Sequence, residues 1–281
     1  LKIVEKHIVP KIQNSIRLQE YASSVFKTIT TRSGIKKTIK KQLILINGKP
    51  ANTGDWIEEG QVLELLAEEL PQKKVFRLDL KVIFEDQFLA VIAKPSGYPT
   101  NGNYFKTIEN ALPYNLENST EKDALPYPIP AHRLDNPTSG LLLIAKTKNV
   151  QVKLNQAFEQ KEIQKSYLAI VSGEISESGI FNIPIEGKSA ETKFQMKKTF
   201  SKNEKTYSLV ELFPTTGRTH QIRIHLSKNV NPIVGDEVYG SSEKVKGILL
   251  AAHSLAFTHP ISKKSLHFEN TFPKKFEKFM S

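Results

Sequence analysis

The chain has 281 residues, a net charge of +11 and no cysteine. That length allows a proper core and about two domains. The missing cysteines exclude disulfides and thiolate metal sites and fit a cytoplasmic protein. The positive charge favours a polyanionic partner, nucleic acid before membrane. The longest apolar runs, such as residues 248–252, are too short to span a bilayer.

Residues 1–72 read as one small module. Ile16 to Leu18 and Tyr21 to Phe26 have helical spacing, and a second helix is expected from Ser33, as its cap, through Ile35 and Ile39 to Lys41. Strands are expected over 43–46, 56–57 and 62–65, with Asn47-Gly48 as a turn. Positions 27–49 carry seven cations and no acid, among them Arg32, Lys36, Lys37, Lys40 and Lys41. A solvated helix face is also basic, but 23 residues without an acid point to a face that tracks phosphates.

Residues 71–74 read as a linker, which is extended to 73–79, and 80–281 as a larger domain. Strands are expected over 82–84 and 88–93, then a turn at Lys94 to Pro99, and a buried strand over 141–146. A helix fits 149–160. Further strands fit 165–171, 192–198, 207–213 and 248–257. Another helix follows Thr219, and a short one closes the chain after Pro273. Strands and helices interleave without a regular βαβ repeat. The expected fold is α+β, a mixed, mostly antiparallel sheet beside the small N-terminal module.

The most informative stretch is Ala131-His132-Arg133-Leu134-Asp135-Asn136-Pro137-Thr138-Ser139-Gly140, directly before that buried strand. A rigid core can fix a carboxylate there while its oxygens face a cleft, so Asp135 is the candidate nucleophile or general base. Two further segments are rich in polar groups: Lys165-Ser166-Tyr167, and Gly217-Arg218-Thr219-His220-Gln221-Ile222-Arg223. With Thr219 as cap, Arg218 would stand at a helix entrance, where helix N-terminus and guanidinium together favour an anion, and Asp135 is the obvious one. Tyr167 offers a flat face for stacking. Each residue also has a plain structural role open to it: Asp135 as an Asx-turn residue, Tyr167 as core, Arg218 as a phosphate ligand. His220 and His225 lie five apart, not at the i, i+4 spacing of a helical zinc pair, so no metal site is expected.

His132-Arg133-Leu134-Asp135 with Thr138-Ser139-Gly140-Leu141-Leu142-Leu143 closely resembles the signature of RluA-type pseudouridine synthases. So do Lys94-Pro95-x-Gly97, Lys165-x-Tyr167, and the string from Gly217 to His225. Pro232-Ile233-Val234-Gly235-Asp236 with Tyr239-Gly240, and Ala252-His253 before His259-Pro260, complete the set in the family's order over about residues 80–272. Residues 15–66 resemble, more loosely, the S-four-type RNA-binding module, named for a small-subunit ribosomal protein. The features are Arg17-Leu18 opening a helix, the Ser33 helix, Ile46-Asn47-Gly48 and Gly54-Asp55. Gln19 stands where that module has Asp.

The resemblance implies isomerisation of uridine to pseudouridine in folded RNA, without cofactor or metal. It implies Asp135 as catalytic carboxylate, Arg218 as its partner and Tyr167 stacked on the target base. Leu249 or Leu250 would form the apolar wall, and Arg133 would fill the gap left by the flipped base. His132, Thr138, His220, Gln221 and Arg223 join Arg17 and the basic run as RNA-contact candidates. The expected partner is large-subunit ribosomal RNA, with tRNA as the alternative, and the expected enzyme is a monomer, since one Asp per site needs no partner subunit. Two other classes compete: a non-catalytic RNA-binding or ribosome-assembly factor on the same fold, and a hydrolase using Asp135 with a His.

Overall fold

A computed structural model describes residues 2–29, 31–67 and 74–281. The chain divides into two compact units, Leu1–Gln72 and Lys73–Ser281. Residues 71–73 of the expected linker lie outside the described residues.

The first unit runs β1 (Ile3–Ile8), β2 (Ile16–Arg17), α1 (Leu18–Val25), α2 (Arg32–Lys40), β3 (Ile44–Ile46), β4 (Lys49–Pro50), β5 (Trp56–Ile57) and β6 (Val62–Leu66). A four-stranded sheet has the order β1-β6-β3-β4, and β2 pairs with β5. Leu18 and Ala22 of α1 and Ile35 and Ile39 of α2 are buried with Ile44 and Leu63. These i, i+4 pairs set the inner helix faces. The cap of α2 is Thr31, not Ser33: its Oγ1 accepts from the Gly34 N–H at 3.1 Å. Burying Ile35 and Ile39 leaves Arg32, Lys36, Lys37 and Lys40 exposed, with Lys41 just beyond them.

The second unit runs β7 (Lys81–Glu85), β8 (Leu89–Lys94), α3 (Ile108–Asn115), β9 (Ala124–Pro130), β10 (Ser139–Thr147), α4 (Lys148–Glu159), β11 (Gln164–Ser172), β12 (Ser178–Phe181), β13 (Thr192–Lys202), β14 (Lys205–Pro214), α5 (Gln221–Asn229), β15 (Leu250–Thr258), β16 (Ser265–Glu269) and α6 (Lys274–Met280). One large sheet has the order β12-β13-β14-β11-β15-β10-β8-β7, with β16 on β15 and β9 on β10. The β10–β15 pair is parallel and its other ladders are antiparallel, so the unit is α+β with a mixed, mostly antiparallel sheet. Segment 74–79 is not a free linker. Phe76 and Leu78 pack on the large core, and the Phe76 N–H donates to Asn110 O at 2.9 Å.

The parallel pair is short, Ser139 opposite Ala251 and Gly140 opposite Ala252. Gly140 has φ +119, and a Cβ there would lie 2.1 Å from Ala252 O, so only glycine lets the two strands approach. On the other side of β15, Ala252 stands opposite Tyr167 of β11, where the register shifts by one residue. Gly140, Ala252 and Tyr167 therefore form a row across three strands. The row brings the turn before β10 level with a bulge at His253 of β15, directly beside Tyr167.

Candidate active site

Asp135 sits in the turn that leads into β10. The Thr138 N–H closes this turn on Asp135 O at 3.0 Å. Below it, the Lys94 ammonium, at the end of β8, donates to Pro95 O, Asn136 O and Thr138 O at 3.1, 3.2 and 2.7 Å. Lys94 is buried, and burial brings its pKa down to about 7, with the Asp135 charge opposing the fall. Three carbonyl acceptors use all three protons of an ammonium, so this lysine is a tie under the turn. Thr100 Oγ1 adds bonds to the Leu134 carbonyl and N–H at 2.8 and 3.0 Å. Asp135 is thus held from below while its side chain keeps 17% of its surface open.

The cation nearest Asp135 is Arg223, its Nη1 at 3.6 Å from Oδ2. The expected Arg218 pair does not form. Arg218 precedes α5, is exposed, and donates Nε to Ser189 O at 3.1 Å. The reason lies in how α5 begins. Its N-cap is His220, in the left-handed region at φ 54, and Thr219 makes no cap. The helix therefore starts at Gln221, which places Arg223 in the first turn.

Arg223 is fixed by a second carboxylate. Its Nε and Nη2 bind both oxygens of Asp236 at 2.7 Å each, a buried bidentate fork, and its guanidinium lies 4.9 Å from the Tyr239 ring centroid. Burial works against the Arg223 charge, but Asp236, then Asp135, raise its pKa above the usual arginine value. Asp236 follows Gly235, whose Cβ would lie 2.2 Å from Gly247 O. His220 reaches Asp135 more loosely, Nε2 to Oδ2 at 3.9 Å, and its Nδ1 meets Tyr239 Oη at 2.9 Å.

Asp135, Arg223, His220 and Arg218 line one small cavity of about 110 Å³ with Arg133, Thr138, Lys165, Tyr167 and Leu250. Tyr167 is buried at its wall. Desolvation, then the Asp135 charge, push its phenol pKa well above the ordinary value, so it is a neutral phenol at physiological pH. The apolar wall residue is Leu250, not Leu249, which packs in the core just before β15 begins. Thr138 Oγ1 is buried without a hydrogen-bond partner.

Several expected RNA contacts instead hold the scaffold. Gln221 is buried: its Oε1 accepts from Arg218 N–H and Thr216 Oγ1, and its Nε2 donates to Glu191 O and Thr192 Oγ1. His132 Nε2 accepts from the Leu143 N–H at 3.1 Å, which an imidazolium cannot do, and its ring stands 5.0 Å from Phe158. Desolvation and the nearby Lys165 charge bring its pKa down to about 3. An unfolded His titrates near 6.5. Between those values the unfolded chain therefore binds the extra proton, so stability is full above pH 6.5 and falls on acidification. From pH 6.5 to 5, wild type should lose about 1.6 kcal/mol more than His132→Gln, the slope steepening from about 0.7 to about 1.4 kcal/mol per pH unit, measured by urea unfolding. Parallel curves for the two proteins would refute a buried neutral His132.

Arg223 was legible only as a general RNA contact, and Asp236 and Lys94 only as parts of motifs. The available signal was spacing, since His220 and Arg223 lie three apart and share a face. Among the described residues no group of three or more His, Asp or Glu is placed to hold a metal ion, and no helix is long and apolar enough to cross a membrane.

A family model described as RNA pseudouridylate synthase matches residues 88–228. An uncharacterized RNA pseudouridine synthase of Aquifex aeolicus is 30% identical, the match covering 94% of this chain and 93% of that one. A ribosomal large subunit pseudouridine synthase D of Borreliella burgdorferi is 33% identical, over 96% of this chain and 90% of its own. Among solved structures, human RNA pseudouridylate synthase domain containing 1 shares the fold with a TM-score of 0.58 at 23% identity, over 73% of this chain and 87% of that one. The fold is that of the pseudouridine synthases. The chain belongs to the RNA pseudouridylate synthase family, in its RluA-type branch.

Proposed function

We propose that this synthase isomerises particular uridines of large-subunit ribosomal RNA, with Asp135 as its catalytic carboxylate. The observation that carries the proposal is Asp135 itself, recessed in a cavity that Arg223 and Tyr167 also line, with Arg223 Nη1 3.6 Å from its Oδ2. The substrate follows the relatives named ribosomal large subunit pseudouridine synthase D. The basic face of α2 agrees with a polyanionic partner.

In the reaction the C1′–N1 bond breaks, the uracil turns, and a C1′–C5 bond forms. C5 loses its proton and N1 gains one, so no electrons are exchanged with a cofactor. Asp135 opens the sequence either by attack at C1′ or by removing a ribose proton. Both routes require an ionised carboxylate, which Arg223 orients. Tyr167 stacks on the freed base, and as a neutral phenol it acts through its ring and O–H before any proton leaves C5. Leu250 closes the apolar side. Reaching Asp135 requires the uridine to leave its stack, at a cost of a few kcal/mol, of which stacking on Tyr167 returns about 1–3 kcal/mol. Arg133, exposed at the mouth, occupies the space the base leaves.

Ribosomal RNA transcribed with tritium at uridine C5 tests the proposal. Wild type should release tritium to water and no free uracil. Release of uracil would show a hydrolase, and retention of both label and base would show a binding protein. Removing residues 1–72 should weaken RNA binding and lower the log–log salt slope by about 0.7–0.9 for each phosphate that the truncated protein no longer neutralises. An unaltered slope would remove the N-terminal unit from the RNA interface.

A further inference from the structure

Beside the Asp135 cavity lies a second, larger groove of about 720 Å³, within the range of sites that hold small organic ligands. The two share Arg133, Lys165, Pro214, Thr216 and Gly217, so a strand leaving one enters the other without crossing a barrier of core. The groove is lined by Arg133, Lys161, Lys165 and Lys193, and no carboxylate lines it. None of these four cations makes an ion pair among the described residues. Two aromatic rings stand among them. Lys193 of β13 is directly opposite Phe213 of β14, and Phe213 is 37% exposed, unusual for a ring on the sheet of a folded unit. Lys165 Nζ lies 5.7 Å from the centroid of Phe158, which forms another part of the lining.

We infer that this groove is a subsite for the nucleotide adjoining the target uridine in the same RNA strand. It rests on the reading that the Asp135 cavity takes a uridine of RNA. Lys161 and Lys193 neutralise the two phosphates that flank the neighbouring nucleotide, and the exposed face of Phe213 stacks its base. Unpaired cations without an acid are matched by a phosphodiester. An exposed ring beside a lysine is matched by an unstacked base, whose identity stacking does not read. The enzyme would thus hold two consecutive nucleotides out of their stack, selecting uridine in the first cavity and tolerating any base in the second.

The test measures binding of fluorescein-labelled pentauridylate to the full chain by anisotropy, over a series of salt concentrations. Lys161→Ala/Lys193→Ala should weaken binding at least about tenfold at low salt and reduce the log–log slope by about 1.4, the value for two single-strand phosphates. Phe213→Ala should weaken binding about tenfold with the slope unchanged, and Phe213→Trp should restore it. Lys153→Ala/Lys263→Ala removes the same charge from a different groove and should leave the slope near wild type. An unchanged slope in the Lys161/Lys193 variant would overturn the subsite. So would an equal fall in the control, which would show only bulk charge. Failure of the parent reading is seen separately, as absence of tritium release by wild type.

Discussion

Asp135→Asn should abolish pseudouridine formation while leaving the fold intact. The amide has the size and shape of the carboxylate but carries no charge and is a poor nucleophile and base. Loss of a positioned acid–base group alone costs about 10²–10⁴-fold, and loss of a nucleophile costs no less. The turn survives because its supports are bonds to the backbone: Lys94 on three carbonyls, the Thr138 N–H on Asp135 O, and Thr100 on Leu134. Arg223 keeps its Asp236 fork. The melting temperature should therefore stay within a few degrees of wild type, and RNA affinity should be retained. A variant that stays folded, binds RNA and still turns over at a tenth of the wild-type rate would place the catalytic carboxylate elsewhere.

The second large effect is expected at the Arg223–Asp236 pair. Both side chains are buried, at 3% and 1% exposure, so removing Asp236 strips a buried guanidinium of its bidentate partner and leaves it only the looser contact to Asp135. Asp236→Ala should cost about 3–5 kcal/mol, a fall of roughly 6–20 °C in melting temperature for a unit of this size. Replacing both, as Arg223→Met with Asp236→Leu, removes the charges together and should regain most of that stability. It should not regain activity, because Asp135 then lacks the cation that orients it. Recovered activity in the double variant would show that Arg223 serves packing alone. Arg223→Lys should also fail, since a point charge cannot span both carboxylates as the planar fork does.

Much of this was legible in the sequence, for physical reasons that differ by element. β10 is nearly all buried, so its apolar run stood out, and with it the polar turn carrying Asp135. α2 and α4 carry clean apolar pairs, Ile35 with Ile39 and Val150 with Leu154. β9 was not legible because three of its seven residues are proline. Such a strand survives by pairing with β10 alone, where an edge tolerates missing donors. α3 was masked by Pro113 near its end. The choice between Arg218 and Arg223 turned on a single residue, His220, whose left-handed backbone delays the helix and leaves Arg218 in the preceding loop. No propensity predicts that conformation for a histidine, because it costs free energy locally and persists only where the surroundings impose it. Leu250 rather than Leu249 was set by the register of β15 against β10 and β11, a long-range property absent from local pattern.

The central claim is that Asp135 converts uridine to pseudouridine in ribosomal RNA. Its most direct test is carbodiimide mapping of pseudouridines, by reverse-transcription stops, on total RNA from cells that have or lack this protein, with rescue by wild type or Asp135→Asn. The account predicts particular large-subunit stops that vanish without the protein, return with wild type and stay absent with the variant. Stops restored equally by Asp135→Asn would contradict the catalytic assignment, and a map identical with and without the protein would contradict the function.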